Sequence, residues 1–356
     1  MNGLLKVLPP FAPDQSGAVS ALYEMGGLIV ICDAGGCTGN VCGFDESRWF
    51  RKKSAVFSAG LRDMDAILGR DDRLIAKLGD AVSQTDAAFT ALVGTPVPAV
   101  IGTDFRALRR MAEKRTGLPA IAVETTGTGL YDEGEEQALL ALFRTFAAET
   151  FPVERGTVGV LGATPLDFGS PRAGELLAES LARRGWNRAV CYGMGSGLSA
   201  VRRASAAEQN LVVSPAGLKT AEYLNRTFGT PYAAGCPFLP EHLEKSLAGL
   251  GGKRVLVIHQ QVLANAVRDR ILERADADVT VATWFLLKEE LKREGDFRLT
   301  GERQFARAVG DGGYDVVIGD ALLRRALGGY RGAFLGLPHF AVSGGPEKES
   351  EAAERR

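Results

Sequence analysis

Three cysteines fall at equal spacing, Cys32, Cys37 and Cys42, in the stretch Ile31-Cys32-Asp33-Ala34-Gly35-Gly36-Cys37-Thr38-Gly39-Asn40-Val41-Cys42. The chain has five cysteines in 356 residues, so this grouping marks a place where thiol chemistry is expected. An apolar run, Gly27-Leu28-Ile29-Val30-Ile31, precedes it and reads as a buried parallel strand. Loops that leave such strands carry the chemistry of α/β proteins. Gly35 and Gly36 let backbone amides come close to a bound group. The spacing leaves three readings open. The thiolates hold an iron–sulfur cluster, which takes four ligands as a rule. They hold zinc, although structural zinc pairs its cysteines with a second pair or with histidines, and no second pair follows here. Or Cys32, at the strand end, is a small buried apolar residue; if it points into a sheet face it does not reach the loop.

The remaining soft and titratable groups are few. Cys191 lies inside an apolar strand and reads as core. Cys236 follows the Gly229-Thr230-Pro231 turn in Ala234-Gly235-Cys236-Pro237 and is a candidate redox or ligand residue. Of three histidines, His242 sits on a charged helix and reads as a surface group. His259 ends the strand 255–258, at the carboxyl edge where ligands bind, and His339 follows Gly336-Leu337-Pro338. Both are candidate proton donors, since imidazole titrates near neutrality, or else ordinary hydrogen-bonded histidines near strand ends. Glu124, before Thr125 and Thr126, is a second acid candidate or a cap.

The elements that must position these residues repeat as strand, glycine loop, helix. Strand-like runs fall at 88–93, 120–123, 158–161, 189–192, 211–213, 255–258, 279–283 and 316–318. Amphipathic helices fall between them at 105–115, 135–149, 173–184, 218–227 and 262–274. This alternation predicts an α/β protein with parallel sheets built from βαβ units. The breaks near Val153-Glu154 and Leu250-Gly251 divide it into 1–153, carrying the cysteine loop, 154–250 and 251–343, with a charged tail at 344–356 expected to be disordered. The glycine loops Gly162-Ala163-Thr164-Pro165 and Gly193-Met194-Gly195-Ser196-Gly197 match neither a phosphate loop nor the GxGxxG fingerprint, so no nucleotide is expected on this chain. A net charge of −1 argues against nucleic acid as a partner. No apolar run reaches membrane-spanning length, and the N-terminal apolar stretch is too short for a signal peptide, which predicts a cytoplasmic protein.

The order of several segments, over roughly residues 11 to 343, resembles the nitrogenase component 1 superfamily. Cys32-Asp33-Ala34-Gly35-Gly36-Cys37 stands where that family has a His-Gly-Pro-x-x-Cys loop. The stretch 57–74 resembles its Gly-Gly-x-x-x-Leu region, and Thr95-Pro96-Val97-Pro98-Ala99-Val100-Ile101-Gly102-Thr103-Asp104 its Cys-Pro-x-x-x-Ile-Gly-Asp-Asp turn. Asn210-Leu211-Val212-Val213-Ser214 resembles its Asn-Leu-Val-x-Cys stretch, and His339 lies one residue out of register with its His-x-x-x-x-Ser-Gly segment. Departures accompany the likeness. Phe11 and Thr95 stand at two family cluster-cysteine positions and Ser214 at the cofactor-anchoring cysteine, so only Cys37 matches a ligand position.

The resemblance implies three Rossmann-like domains around a central cleft, and an iron–sulfur cluster of the [4Fe-4S] type on Cys32, Cys37 and Cys42. Asp33, Asp45, a second subunit or a substrate atom would supply the fourth ligand. It implies the catalytic component of a two-component, ATP-dependent reductase. A separate iron protein would supply electrons, the assembly would be a homodimer or a heterodimer with a homologue, and a small-molecule substrate other than dinitrogen would lie near Ser214, Cys236, His259 and His339. A cofactor-assembly scaffold without turnover is the alternative. A metal-free small-molecule-binding protein is the reading outside the family.

Overall fold

The computed structural model describes residues 5–344; the charged tail beyond Gly344 lies outside the described residues. Three sheets follow one another along the chain, and every pairing within them is parallel. The first contains β1 (Leu28–Ile31), β2 (Ala55–Ser58), β3 (Thr90–Val93) and β4 (Ala120–Val123) in the order β2-β1-β3-β4. The second contains β5 (Glu154–Leu161), β6 (Arg188–Cys191), β7 (Ala207–Val212) and β8 (Tyr232–Ala234) in the order β6-β5-β7-β8. The third contains β9 (Arg254–Ile258), β10 (Asp278–Thr283), β11 (Phe297–Arg298), β12 (Val316–Gly319) and β13 (Ala333–Gly336) in the order β11-β10-β9-β12-β13. Parallel strands require crossovers, and the helices that make them cover both sheet faces. This is why the central strands β1, β3 and β12 are buried along their whole length.

Four strands lack a sequence expectation: β2, β8, β11 and β13. Each is a sheet edge, and each is at least partly exposed. An edge strand needs no continuous apolar run, so its hydrophobic signal is weak. The helix Asp14–Leu22 is also unexpected. All nine of its residues are buried, leaving no polar face to mark a helical period.

That helix is the structural centre. It lies against Tyr131–Phe146, and glycines make the crossing possible. A Cβ at Gly17 would stand 1.8 Å from the Tyr131 carbonyl oxygen, and one at Gly134 would stand 1.8 Å from that of Asp14. The pair brings Val19 and Leu22 into one apolar cluster with Ile29 and Val93 of the first sheet and Leu161 and Val212 of the second. The N-terminal segment binds the third unit instead. Leu8, Phe11 and Ala12 join Tyr131, Ile258 and Val317 in a second cluster. Glu302 accepts hydrogen bonds from the amides of Lys6, Val7 and Leu8 at 2.8, 2.8 and 2.6 Å. No helix among the described residues is long and apolar enough to cross a membrane.

Candidate functional site

The cysteine loop begins where β1 ends. Cys32 continues the ladder, its amide donating to Val93 O at 2.8 Å while Thr95 Oγ1 donates to its carbonyl at 2.8 Å. Side chains alternate along a strand, so Cys32 shares a face with Leu28 and Val30. It packs with Leu74, Leu92 and Leu108, 1% exposed. Burial pushes its thiol up to about 12. Asp33 then turns the chain. Its carboxylate accepts from Ser58 Oγ (2.6 Å), Thr38 Oγ1 (3.0 Å) and the Thr38 amide (2.8 Å), pinning the short helix Gly36–Asn40. Gly35 has φ of 118°, which requires glycine, and a Cβ at Gly36 would meet open space. Cys37 is half-buried on this helix. Cys42 follows in the π-helical turn Val41–Asp45 and is 9% exposed. Burial raises both thiols above the usual range, with Asp33 adding at Cys37, and Glu46 and then Asp33 adding at Cys42.

The three thiols are not gathered around one point. Among the described residues, no group of three or more His, Cys, Asp or Glu side chains is placed to hold a metal ion. The donor set of this chain alone does not fit a four-ligand cluster. Cys32 faces the core, and Cys37 and Cys42 are the thiols the loop itself presents.

The histidines sit elsewhere, where the three units meet. His259 follows β9, and His339 is fixed by Asp320, whose carboxylate accepts from the His339 amide (2.9 Å) and Ser343 Oγ (2.9 Å). Their rings stack at 3.9 Å and 14°. The ring of Phe285 lies 4.7 Å from His339. Tyr131 Oη, from the first unit, donates to Asp167 Oδ1 of the second at 2.6 Å, and lies 2.9 Å from His339 Nε2 of the third. With the tyrosine proton spent on Asp167, His339 Nε2 carries its own proton and donates to Oη. Thr164 Oγ1 lies 3.1 Å from Asp167 Oδ2 and 3.3 Å from Glu135 Oε2. Burial, then the charges of Asp167 and Asp132, hold the Glu135 carboxyl well above its ordinary range. Burial raises Asp132 and Asp167 to about 7 and lowers His259 to about 4. Burial and then His259 keep His339 well below its ordinary value. Both imidazoles are therefore neutral near pH 7.

Cys236 is not part of this junction. It lines a separate hollow of about 360 Å³ with Arg184, Val262 and Asn265. Its thiol donates to Phe238 O at 3.1 Å and is pushed up to about 12 by burial. Cys191 is buried in the core of the second unit, and His242 is an exposed group lying 3.0 Å from Gly336 O. Sequence reasoning missed Tyr131, Glu135 and Asp167. The acid-rich start Tyr131-Asp132-Glu133-Gly134-Glu135-Glu136 resembles a solvated first turn. Only Gly134, out of place in such a turn, signals the close helix crossing that buries it.

A larger cleft, about 980 Å³, opens between the first and third units beside the cysteine loop. Phe11, Gln15, Asp45, Glu124, Trp284 and Arg298 are among its walls.

The arrangement of three parallel sheets is the fold seen in two solved structures named "Nitrogenase Cp1", at pH 6.5 and at pH 5. They superimpose with TM-scores of 0.68 and 0.64 at 13% and 14% identity, covering 95% and 90% of this chain and 87% and 82% of theirs. The model of the family "Nitrogenase component 1 type Oxidoreductase" matches residues 14–252, and the chain belongs to that family. Curated relatives include the nitrogenase iron-molybdenum cofactor biosynthesis protein NifE of Clostridium pasteurianum, 25% identical over 69% of this chain and 51% of that protein. The NifE of Klebsiella pneumoniae is 25% identical over 58% of this chain and 50% of its own length. The chain thus spans about half the length of the curated relatives it matches.

Proposed function

We propose that this chain is a cofactor-assembly component, which holds a cargo of the iron–sulfur class and hands it on without turning over a substrate. The observation that carries this reading is the state of the histidine junction. The two candidate proton donors, His259 and His339, are buried, neutral and stacked on one another. Neither imidazole is charged near pH 7, and the two carboxyls raised to about 7 beside them, Asp132 and Asp167, are wholly buried and engaged by the Leu286 amide and by Tyr131 and Thr164. The names of the curated relatives point the same way. Cys37 and Cys42 are the donors offered to the cargo, and a second subunit, identical or homologous, completes the set. Exposed apolar side chains in the loop and just after it support such a partner: Phe44 at 75% and Phe50 at 82%.

A second reading is favoured by the family description itself. In it the chain is the catalytic component of a two-component reductase, receiving low-potential electrons from an ATP-hydrolysing iron protein and acting on a small molecule other than dinitrogen in the cytoplasm.

Loading the chain anaerobically with ferrous iron and sulfide, then adding an apo-ferredoxin acceptor or a nitrogenase-type iron protein with ATP, separates the readings. Assembly predicts iron and sulfide bound by the wild type and by Cys191→Ala, at least fivefold less in Cys37→Ala, and transfer to the acceptor without ATP. ATP hydrolysis that rises when the chain is added establishes the reductase instead. No iron bound by any form leaves a metal-free binding protein.

A further inference from the structure

We infer that the cleft between the first and third units binds a small organic cation, a molecule carrying an amine or guanidinium group on an alkyl frame. This goes beyond the assembly role; the cleft borders the cysteine loop through Asn40 and Asp45 but includes none of its thiols.

The cleft lies at the carboxyl ends of β4, β10 and β11, where open α/β sheets place their ligands. Its volume of about 980 Å³ is that of a small-molecule site. Its walls are fixed. The bridge between Pro13 and Leu130, and the glycine crossing of Asp14–Leu22 with Tyr131–Phe146, lock the segment 10–15 to the loop 124–130.

Charge selects the ligand. Asp14, Asp45, Glu124 and Glu133 face the cleft against a single guanidinium, Arg298, which lies 3.4 Å from Glu133. The two helix starts in the wall would favour an anion, but their amides are already occupied: Gln15 N by the Asp14 carboxylate, Ser16 N and Gly17 N by Pro13 O, Tyr131 N by Ala12 O and Glu133 N by Leu130 O. Asp14 also accepts from the loop amides of Thr126 (2.8 Å) and Gly127 (2.8 Å). Asp45 is positioned by Ser16 Oγ (2.6 Å) and Asn40 Nδ2 (2.7 Å), both on one oxygen. Glu124 is exposed and has no partner among the described residues. What remains is an acidic recess, and an anionic iron–sulfur cargo is repelled by it.

Two further observations point to an occupant. Gln15, 5% exposed, lines the cleft, and its Oε1 has no hydrogen-bond partner among the described residues. A buried acceptor left unpaired is costly, and a ligand N–H would satisfy it. Phe11 and Trp284, edge to face at 5.4 Å, form an apolar patch suited to an alkyl frame or to a cation over a ring. Among the described residues, the carboxylates of the cleft do not converge three to a point, a spread that suits an extended organic cation better than a metal ion.

Calorimetric titration with spermidine, with succinate as the anionic control, tests this in 150 mM salt. Saturable one-to-one binding of spermidine is expected, with none of succinate. Glu124→Gln, which removes no hydrogen bond of the fold, weakens it about tenfold; Asp45→Asn does the same, while the distant surface change Glu241→Gln leaves it intact. Cys37→Ala keeps spermidine binding even though it loses iron, so failure of the assembly reading and failure of this one are distinguishable. Absence of saturable binding, equal loss in Glu241→Gln, or preference for succinate overturns the assignment.

Discussion

Asp132 shows how a single buried carboxyl governs the junction. One oxygen accepts from the Leu286 amide at 2.6 Å, and the other has no partner among the described residues. With its pKa raised from 3.8 to about 7 by burial, the group favours the folded state while protonated. That contribution is complete below the ordinary carboxyl range and is lost as pH rises through about 7. The histidines act in the opposite sense: His259, lowered to about 4, withdraws stability as pH falls below its ordinary 6.5. Asp132→Asn removes only the first effect and keeps an acceptor for Leu286. The melting temperature of the variant relative to wild type is expected to rise between pH 4 and about pH 7 and to level off above that. A difference that stays constant across that range refutes the assigned protonation. None of this was legible in the sequence, because an acidic helix start and two strand-end histidines look alike whether solvated or buried. The cysteines are the mirror case. Their spacing was legible, but whether Cys32 continues the ladder of β1, on the buried face of Leu28 and Val30, or belongs to the loop depends on where the strand ends, which the sequence does not mark.

At the scale of elements, the buried strands could be read and the edges could not. β3, β9 and β12 announce themselves as apolar runs because both faces are covered. β8, three exposed residues, carries no such pattern, and its place is set by pairing with β7. The helix pair at the centre was legible only through its glycines. Gly134→Ala would drive a methyl group into the Asp14 carbonyl, with no flexible side chain to yield. Separating these helices disturbs the apolar cluster shared by two sheets, and a loss of about 3 kcal/mol or more is expected from overpacking at a backbone contact. Urea unfolding checks it; a midpoint within error of the wild type means the helices adjust without strain.

Across the whole molecule, the first and last units are tied by the N-terminal segment. One carboxylate, Glu302, accepts three consecutive amides, and Ala12 N donates to Ala341 O at 2.8 Å. Glu302→Ala strands those amides and is expected to free the segment. Trypsin should then cut after Lys6 several-fold faster than in wild type while the rest of the chain stays resistant. An unchanged cleavage rate shows that the apolar contacts of Leu8 and Phe11 suffice. The alternation of strand and helix foretold parallel sheets. It contained no sign that residues 6–12 belong, in space, to the third sheet.

That tie also sets an order in time. Residues 6–8 are synthesised almost three hundred residues before their acceptor, Glu302. At ~5–20 residues per second the delay is on the order of tens of seconds. Through that interval Leu8, Phe11 and Ala12 have no apolar surface to rest on, and one wall of the cleft does not exist. The recess between the first and third sheets takes shape only after Trp284, Arg298 and Glu302 have been made, so a chain stopped before them cannot bind there.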